Sequence, residues 1–279
     1  MSVTQNDHTS GQGNKGTHRN IDSDAWAYLP RILELYLRQH TVRKWEYLGA
    51  HSHQPELIVS AIRTVLRYMP YVKGTRILDW GCFHGLDSCV LRLEMGDKVE
   101  ITGADVLEEV PAKAFCDFSR MRYTYLSHPY RLPFGDAEFD TVVASASLEH
   151  CAMPSESLEK LHRVIKNGGN LIVTGAPSRY SITEMLQDWL HLYPHSRRYT
   201  RSSLKRLLLD HGFQVVSVGF HEIIQTFSSP AAMGLRKMPL CRWMLKGLHK
   251  ICPLLDKLWP VNLLGQNIYV IGRRSVGIQ

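Results

Sequence analysis

Seven short apolar runs, most of them separated by stretches of helical spacing, constrain this chain more than any other feature. They fall at 76–79, 99–104, 122–126, 141–144, 170–174, 213–220 and 267–272. Runs of this length, rich in Val, Ile and Leu, read as strands buried on both faces. Strands that alternate with helices need crossover connections, which are right-handed in nearly every case, so the pattern predicts an α/β, doubly wound, largely parallel sheet. Ligands on such a sheet sit beyond the carboxyl ends of its strands. Two further segments, 24–38 and 55–68, space apolar residues three and four apart, and the second opens with a proline, so two helices precede the sheet.

The 279 residues are enough for one sizeable core with modest additions. Residues 1–23 are mostly polar and small, lack the apolar centre of a signal peptide, and are expected to form a disordered tail. A helical cap is expected over 24–72 and the main domain over 73–274. Six cysteines, at 82, 89, 116, 151, 241 and 252, form no Cys-x-x-Cys pair, which reads as reduced thiols in a cytoplasmic protein. No run of eighteen apolar residues is present, so no membrane-spanning helix is expected.

The formal charge of +7 is local rather than general. Between Ala231 and Arg274 stand eight Lys or Arg and one acid, which accounts for the whole excess. This basic stretch lies largely inside a 46-residue segment, 221–266, that separates the last two strands. Within it Leu240, Met244, Leu248, Ile251, Leu255 and Leu258 recur at three and four, while Arg242, Lys246 and Lys250 follow one another at four. The spacing predicts a basic amphipathic helix interrupted near Pro253. Two roles are open to it: a lid packed on the core, or peripheral contact of 231–260 with the anionic inner face of the membrane through Trp243, Leu245, Leu248 and Trp259. Bases interleaved with large apolar residues fit these roles better than nucleic acid, and no nucleic-acid partner is expected.

The chemistry stands at the strand tips. The segment ILDWGCFHG, 77–85, puts Asp79 at the end of the first strand and Gly81 and Gly85 in the turn that follows, where backbone approaches a ligand closely. Asp105 stands twenty-six residues on, at the tip of the second strand, where a carboxylate accepts two hydrogen bonds from ribose hydroxyls; a turn or helix-cap residue is its other reading. The turn lacks the Gly-x-Gly-x-x-Gly of a dinucleotide site. His51, His53 and the other histidines make no ligand set with the cysteines at usable spacing, and no metal is expected.

With these residues in view, ILDWGCFHG resembles the first motif of the class I, S-adenosylmethionine-dependent methyltransferases. LPFGDAEFDTVV at 132–143, LEH at 148–150 and RVIKNGG at 163–169 resemble the fourth- and fifth-strand blocks of the small-molecule branch that includes the quinone methyltransferases, and TRSSLKRLLLDHGFQVV at 200–216 is similar to its late helix and sixth strand. The resemblance runs from about residue 73 to 220, resumes at Asn267, and keeps the family's order. It implies a Rossmann-like seven-stranded sheet, mostly parallel with one antiparallel strand, plus the N-terminal helices and the helical insertion.

It also implies S-adenosylmethionine as cofactor. Gly81, Cys82, Phe83 and Gly85 would flank the methionine part, and Asp79 would lie near its ammonium or the ribose. Asp105 would hold the ribose hydroxyls, Val106 would pack on the adenine, and Ser145 would line the methionine pocket. Two positions depart from the family pattern: Phe83 replaces a usual glycine, and His128 stands where relatives carry an Asp that binds the adenine amino group. An aromatic first-motif residue occurs in some relatives together with a segment like Trp45-Glu46-Tyr47. His128 leaves adenine recognition to backbone groups or a neutral imidazole nitrogen.

The acceptor is expected to be a small molecule or lipid-like compound methylated at a hydroxyl, with a sugar or other soluble metabolite, or a catalytically silent cofactor-binding module, as the alternatives. A hydroxyl calls for a general base. His150, after the fourth strand, is the candidate, its other reading being a helix-capping or buried hydrogen-bonded histidine. His195 and Tyr199 either line the acceptor pocket or stand in a surface loop. Nothing in the sequence fixes the oligomeric state.

Overall fold

The computed structural model describes residues 19–38, 55–109, 112–189, 195, 197–221 and 265–275. Helix α1 is Ile21–Arg38 and α2 is Pro55–Tyr68. The first helix thus starts three residues before the expected 24. Its start is fixed by polar contacts that a composition reading passes over: Arg19 pairs with both Asp24 and Glu94 at 2.6 Å, and the Asn20 side chain accepts from the Ser23 N–H. Residues 19–23, expected within the tail, thus stand at the start of this helix, and the rest of the expected tail, 1–18, lies outside the described residues.

Strand β1 (Arg76–Trp80) turns into α3 (Leu86–Met95), followed by β2 (Glu100–Asp105), α4 (Lys113–Ser119) and β3 (Arg122–Tyr125). The second half adds β4 (Phe139–Ser145), α5 (Pro154–Val164), β5 (Ile165–Pro177), α6 (Ile182–Trp189), α7 (Arg201–Asp210), β6 (Phe213–His221) and β7 (Asn267–Arg274). The sheet order is β3-β2-β1-β4-β5-β7-β6. Only β7 runs antiparallel to its neighbours, β5 and β6; every other pair is parallel. This is the Rossmann-like, doubly wound sheet the sequence predicts, and its order reverses between β1 and β4, where a crevice opens at the carboxyl ends.

Alternation along each strand builds two cores. Ile77, Val143, Ile172 and Ile271 face α1, α2, α3 and α4, whereas Leu78, Val142, Leu171 and Val270 face α5 and α7. Burial on both faces is what makes these strands read as nearly continuous apolar runs. One irregularity matters locally. Between the pairs Phe139–Ile165 and Thr141–Asn170 the β5 side carries three extra residues, so the expected turn at 166–169 is a bulge inside a longer strand. Helix α7 begins at a reciprocal cap, with the Thr200 side chain accepting from the Ser203 N–H and the Ser203 hydroxyl accepting from the Thr200 N–H.

The amphipathic helix expected within 221–266 lies outside the described residues except at its ends. His221 closes β6, buried at 3.1 Å from the Thr174 hydroxyl, and the Gln266 carbonyl accepts from the Ser178 N–H. No helix among the described residues is long and apolar enough to cross a membrane.

Candidate active site

The turn after β1 is built around two left-handed glycines. Gly81 has φ +72 and Gly85 φ +82, and between them the chain is pinned back to β2: the N–H groups of Gly81 and Cys82 donate to the Ala104 carbonyl at 2.7 and 3.3 Å. A Cβ on Gly81 would lie 2.3 Å from the Ser147 hydroxyl and 2.6 Å from its Cβ, so the glycine is required by close approach as well as by conformation. Phe83 takes the left-handed region too, at φ +43, a conformation that costs a non-glycine residue roughly 1–2 kcal/mol. It is held there because its N–H donates to Asp105 Oδ2 at 2.8 Å. The position where relatives carry glycine thus keeps a glycine-like backbone while bearing an aromatic ring. Cys82 turns its side chain into the core and offers only backbone to the turn.

Beneath the turn lie two carboxylates, one buried and one half-buried. Asp79, at the tip of β1, accepts from the Ser88 hydroxyl at 2.6 Å, and Asp87, in the first turn of α3, accepts from the Tyr68 hydroxyl at 2.9 Å and from Ser145. Burial raises the pKa of both above the ordinary carboxylate range, and for Asp79 the nearby charge of Asp87 adds to the effect. Among the described residues no Lys or Arg pairs with either. A carboxylate pair with one member buried and no counter-ion is a place that favours a cationic ligand. Asp105, also buried, engages one oxygen with Phe83 and leaves the other without a hydrogen bond among the described residues.

The remaining expected cofactor residues stand at or just beyond the ends of β2, β3 and β4. Val106 directly follows Asp105 and is 47% exposed, as an apolar platform beside the site must be. Ser145 ends β4 and is half-buried against Asp87. His128 is exposed and stacks on Tyr130 with ring planes 3° apart. Beyond that stack an open cleft of about 540 Å³ is lined by Tyr125, Ser127, Tyr130, Arg131, Lys160 and Arg163 among others, and it contains none of the strand-tip carboxylates.

On the other side of β4 the short helical turn Leu148–His150 brings up a second group. The His150 side chain is 59% exposed, and Glu149 beside it is buried. Burial and the proximity of His195 lower the His150 pKa, whereas burial raises Glu149 to about 7. His195, forty-five residues later, comes within 5.8 Å of His150 ring to ring and hydrogen-bonds through Nδ1 to Glu184 Oε1 at 3.0 Å. That bond raises its pKa. Arg198 ties Glu184 to Asp188. Tyr199 is buried, not displayed in a loop.

Several of these residues escape a reading of the sequence alone. Asp87, Ser88 and Tyr68 belong to no motif, and only their packing brings them to Asp79. Tyr36 of α1 reaches His84 in the turn at 2.8 Å, so the N-terminal helices support the site directly. The expectation that the histidines make no ligand set looked for cysteine partners; the fold instead gathers Glu149, His150 and His195, with one potential ligand atom of each within 4.8 Å of the others. His51, His53 and residues 45–47 lie outside the described residues.

A family profile described as a methyltransferase domain matches residues 50–218, more than half the chain. A malonyl-acyl-carrier-protein O-methyltransferase from Enterobacter lignolyticus is 24% identical over 191 residues, 66% of this chain and 74% of that protein. The demethylmenaquinone methyltransferase of Clavibacter sepedonicus is 29% identical over 102 residues, 37% of this chain and 41% of its own length. Among solved structures, a methyltransferase from Archaeoglobus fulgidus, described as SAM dependent, superposes with a TM-score of 0.52 at 20% identity over 76% of this chain and 92% of that one. The cyclase SpnF has the same fold at a TM-score of 0.51 and 18% identity, covering 81% of this chain and 84% of its own. Together with the profile match, the ordered strand-tip motifs establish that the chain belongs to the class I, S-adenosylmethionine-dependent methyltransferases.

Proposed function

We propose that this protein transfers the methyl group of S-adenosylmethionine to a hydroxyl oxygen of a small-molecule or lipid-like acceptor. The observation that carries the reading is the carboxylate pair of buried Asp79 at the tip of β1 and half-buried Asp87 in the first turn of α3, with no Lys or Arg paired to either among the described residues, which a ligand bearing an ammonium and a sulfonium relieves. When bound, that cofactor supplies an already activated methyl group. In this reading Asp79 faces the ammonium, and Gly81, Cys82, Phe83 and Gly85 present backbone to the methionine part. Asp105 accepts from the ribose with the oxygen not engaged by Phe83, Val106 packs on the adenine, His128 meets its edge, and Ser145 closes the methionine pocket.

The chain's own task is alignment, exclusion of water and removal of one proton. His150, exposed beyond the end of β4, would take the proton of the acceptor hydroxyl as that oxygen is methylated. The basic segment 231–260 supports a lipid-like acceptor met at the inner face of the cytoplasmic membrane. The relatives named above, which act on a malonyl-acyl-carrier protein and a demethylmenaquinone by their names, are consistent with an acyl or quinol acceptor. Calorimetry with S-adenosylmethionine, followed by mass spectrometry of products from phenols, quinols, carboxylic acids and sugars, tests the proposal. A methyl ether formed at a hydroxyl supports it, whereas a methyl ester formed on a carboxylate, which has no proton to remove, overturns the hydroxyl assignment. Methylation at nitrogen or carbon overturns the hydroxyl assignment, and tight cofactor binding without turnover on any acceptor makes the chain a silent binding module.

A further inference from the structure

The Glu149, His150 and His195 cluster contains more than a base requires. Its three potential ligand atoms lie within 4.8 Å of one another, and Glu149 Oε1 is 3.9 Å from His150 Nε2. Glu149 is only 4% exposed, and its second oxygen is buried without a hydrogen-bond partner, which is a costly state for a carboxyl group with no ligand to satisfy it. His195 is oriented from behind. A Glu184 carboxylate oxygen can only accept, so Nδ1 carries the proton of that hydrogen bond, and in the neutral ring Nε2 keeps its lone pair for a ligand. A carboxylate that holds the far nitrogen of a histidine is the usual support of a metal-bound imidazole.

We infer that Glu149, His150 and His195 form a site for a divalent transition cation of the Zn²⁺ class, with Glu184 as the positioning residue for His195. Two imidazoles and one carboxylate are a donor set suited to such ions, and three protein ligands leave a coordination position open to solvent or substrate. Tetrahedral ligands at about 2.0–2.2 Å from a metal stand roughly 3.4 Å apart, so spacings of up to 4.8 Å close by at most about 1.4 Å. His150 is the most exposed member and can supply that movement. The site stands on this geometry and not on the methyl-transfer reading, but occupancy has a consequence for it: a cation on His150 takes the lone pair that a base needs, so the metal inhibits turnover.

Equilibrium dialysis of the full chain with Zn²⁺, and the absorption spectrum with Co²⁺, test the inference without cofactor or acceptor. One saturable site is expected, with Co²⁺ bands of nitrogen and oxygen ligation and none of the charge-transfer bands of a thiolate. His195→Ala is expected to abolish it, Glu149→Gln to weaken it strongly while keeping side-chain shape, and Glu184→Gln to weaken it 10- to 100-fold. A circular dichroism melt of each variant checks that it is folded. Absence of saturable binding, thiolate bands, or affinity unchanged in a folded His195→Ala protein overturns the site. A site that binds metal yet leaves methyl transfer at full rate refutes His150 as the base and leaves the metal site standing.

Discussion

At the scale of single residues, the site is governed by where carboxylates are buried. Asp105 holds the Phe83 backbone with one oxygen and, in the proposed function, the ribose with the other. Carboxylate-to-hydroxyl bonds are worth about 1.5–3 kcal/mol, so Asp105→Ala weakens cofactor binding by roughly 10- to 100-fold in calorimetry, with the fold retained. Asp79 gives a pH signature. Its pKa rises from the ordinary value near 4 to about 8 in the folded protein, so between those limits the folded state binds more protons than the unfolded one. Stability of the cofactor-free protein therefore falls as pH rises through this window, and Asp79→Asn removes that part of the slope in thermal melts. Because a cationic ligand favours the ionised form, affinity for S-adenosylmethionine rises over the same window, by up to tenfold per pH unit. His150→Ala tests the acceptor side: turnover on a hydroxyl acceptor drops by about a hundredfold or more, while cofactor affinity measured by calorimetry stays the same.

At the scale of elements, the turn between β1 and α3 is a rigid piece whose shape is imposed from β2 and β4. Gly81→Ala sets a Cβ against Ser147 and forces alanine into a left-handed conformation. The clash involves the Ser147 Cβ as well as its hydroxyl, so rotating that side chain does not relieve it. A loss of roughly 1–3 kcal/mol in denaturant unfolding, with cofactor binding abolished or much weakened, is expected. The element boundaries show what patterns do and do not contain. Helix α2 begins and ends as its periodicity and opening proline predict, because both signals are local. From the sequence the bulge at 166–169 reads as a plain turn, because two glycines signal a break in either case. Only pairing with β4 decides that the strand continues on both sides.

At the scale of the whole molecule, the charge asymmetry remains the property to test. In the lipid-acceptor reading, the full chain sediments with anionic vesicles and not with neutral ones, and binding weakens with salt at about 1 kcal/mol per basic residue engaged. Replacing Arg242, Lys246 and Lys250 with Glu abolishes it. Indifference to both vesicle types at low salt assigns the basic segment to a lid and the acceptor to a soluble metabolite.

The sequence by itself determined the doubly wound sheet, the order of its strands along the chain and the two strand-tip carboxylates, Asp79 and Asp105. These follow from short, nearly continuous apolar runs and from residues fixed within a few positions of a strand end, which are short-range facts of the chain. Glu149 was legible only as the neighbour of His150. Tertiary structure alone decided that Asp87, Ser88 and Tyr68 surround Asp79, that Tyr36 braces His84, and that His195 meets Glu149 and His150 with Glu184 behind it. Those contacts join residues from 9 to 48 positions apart through the packing of helices on a sheet, and no periodicity or local motif encodes which polar side chains such packing brings face to face.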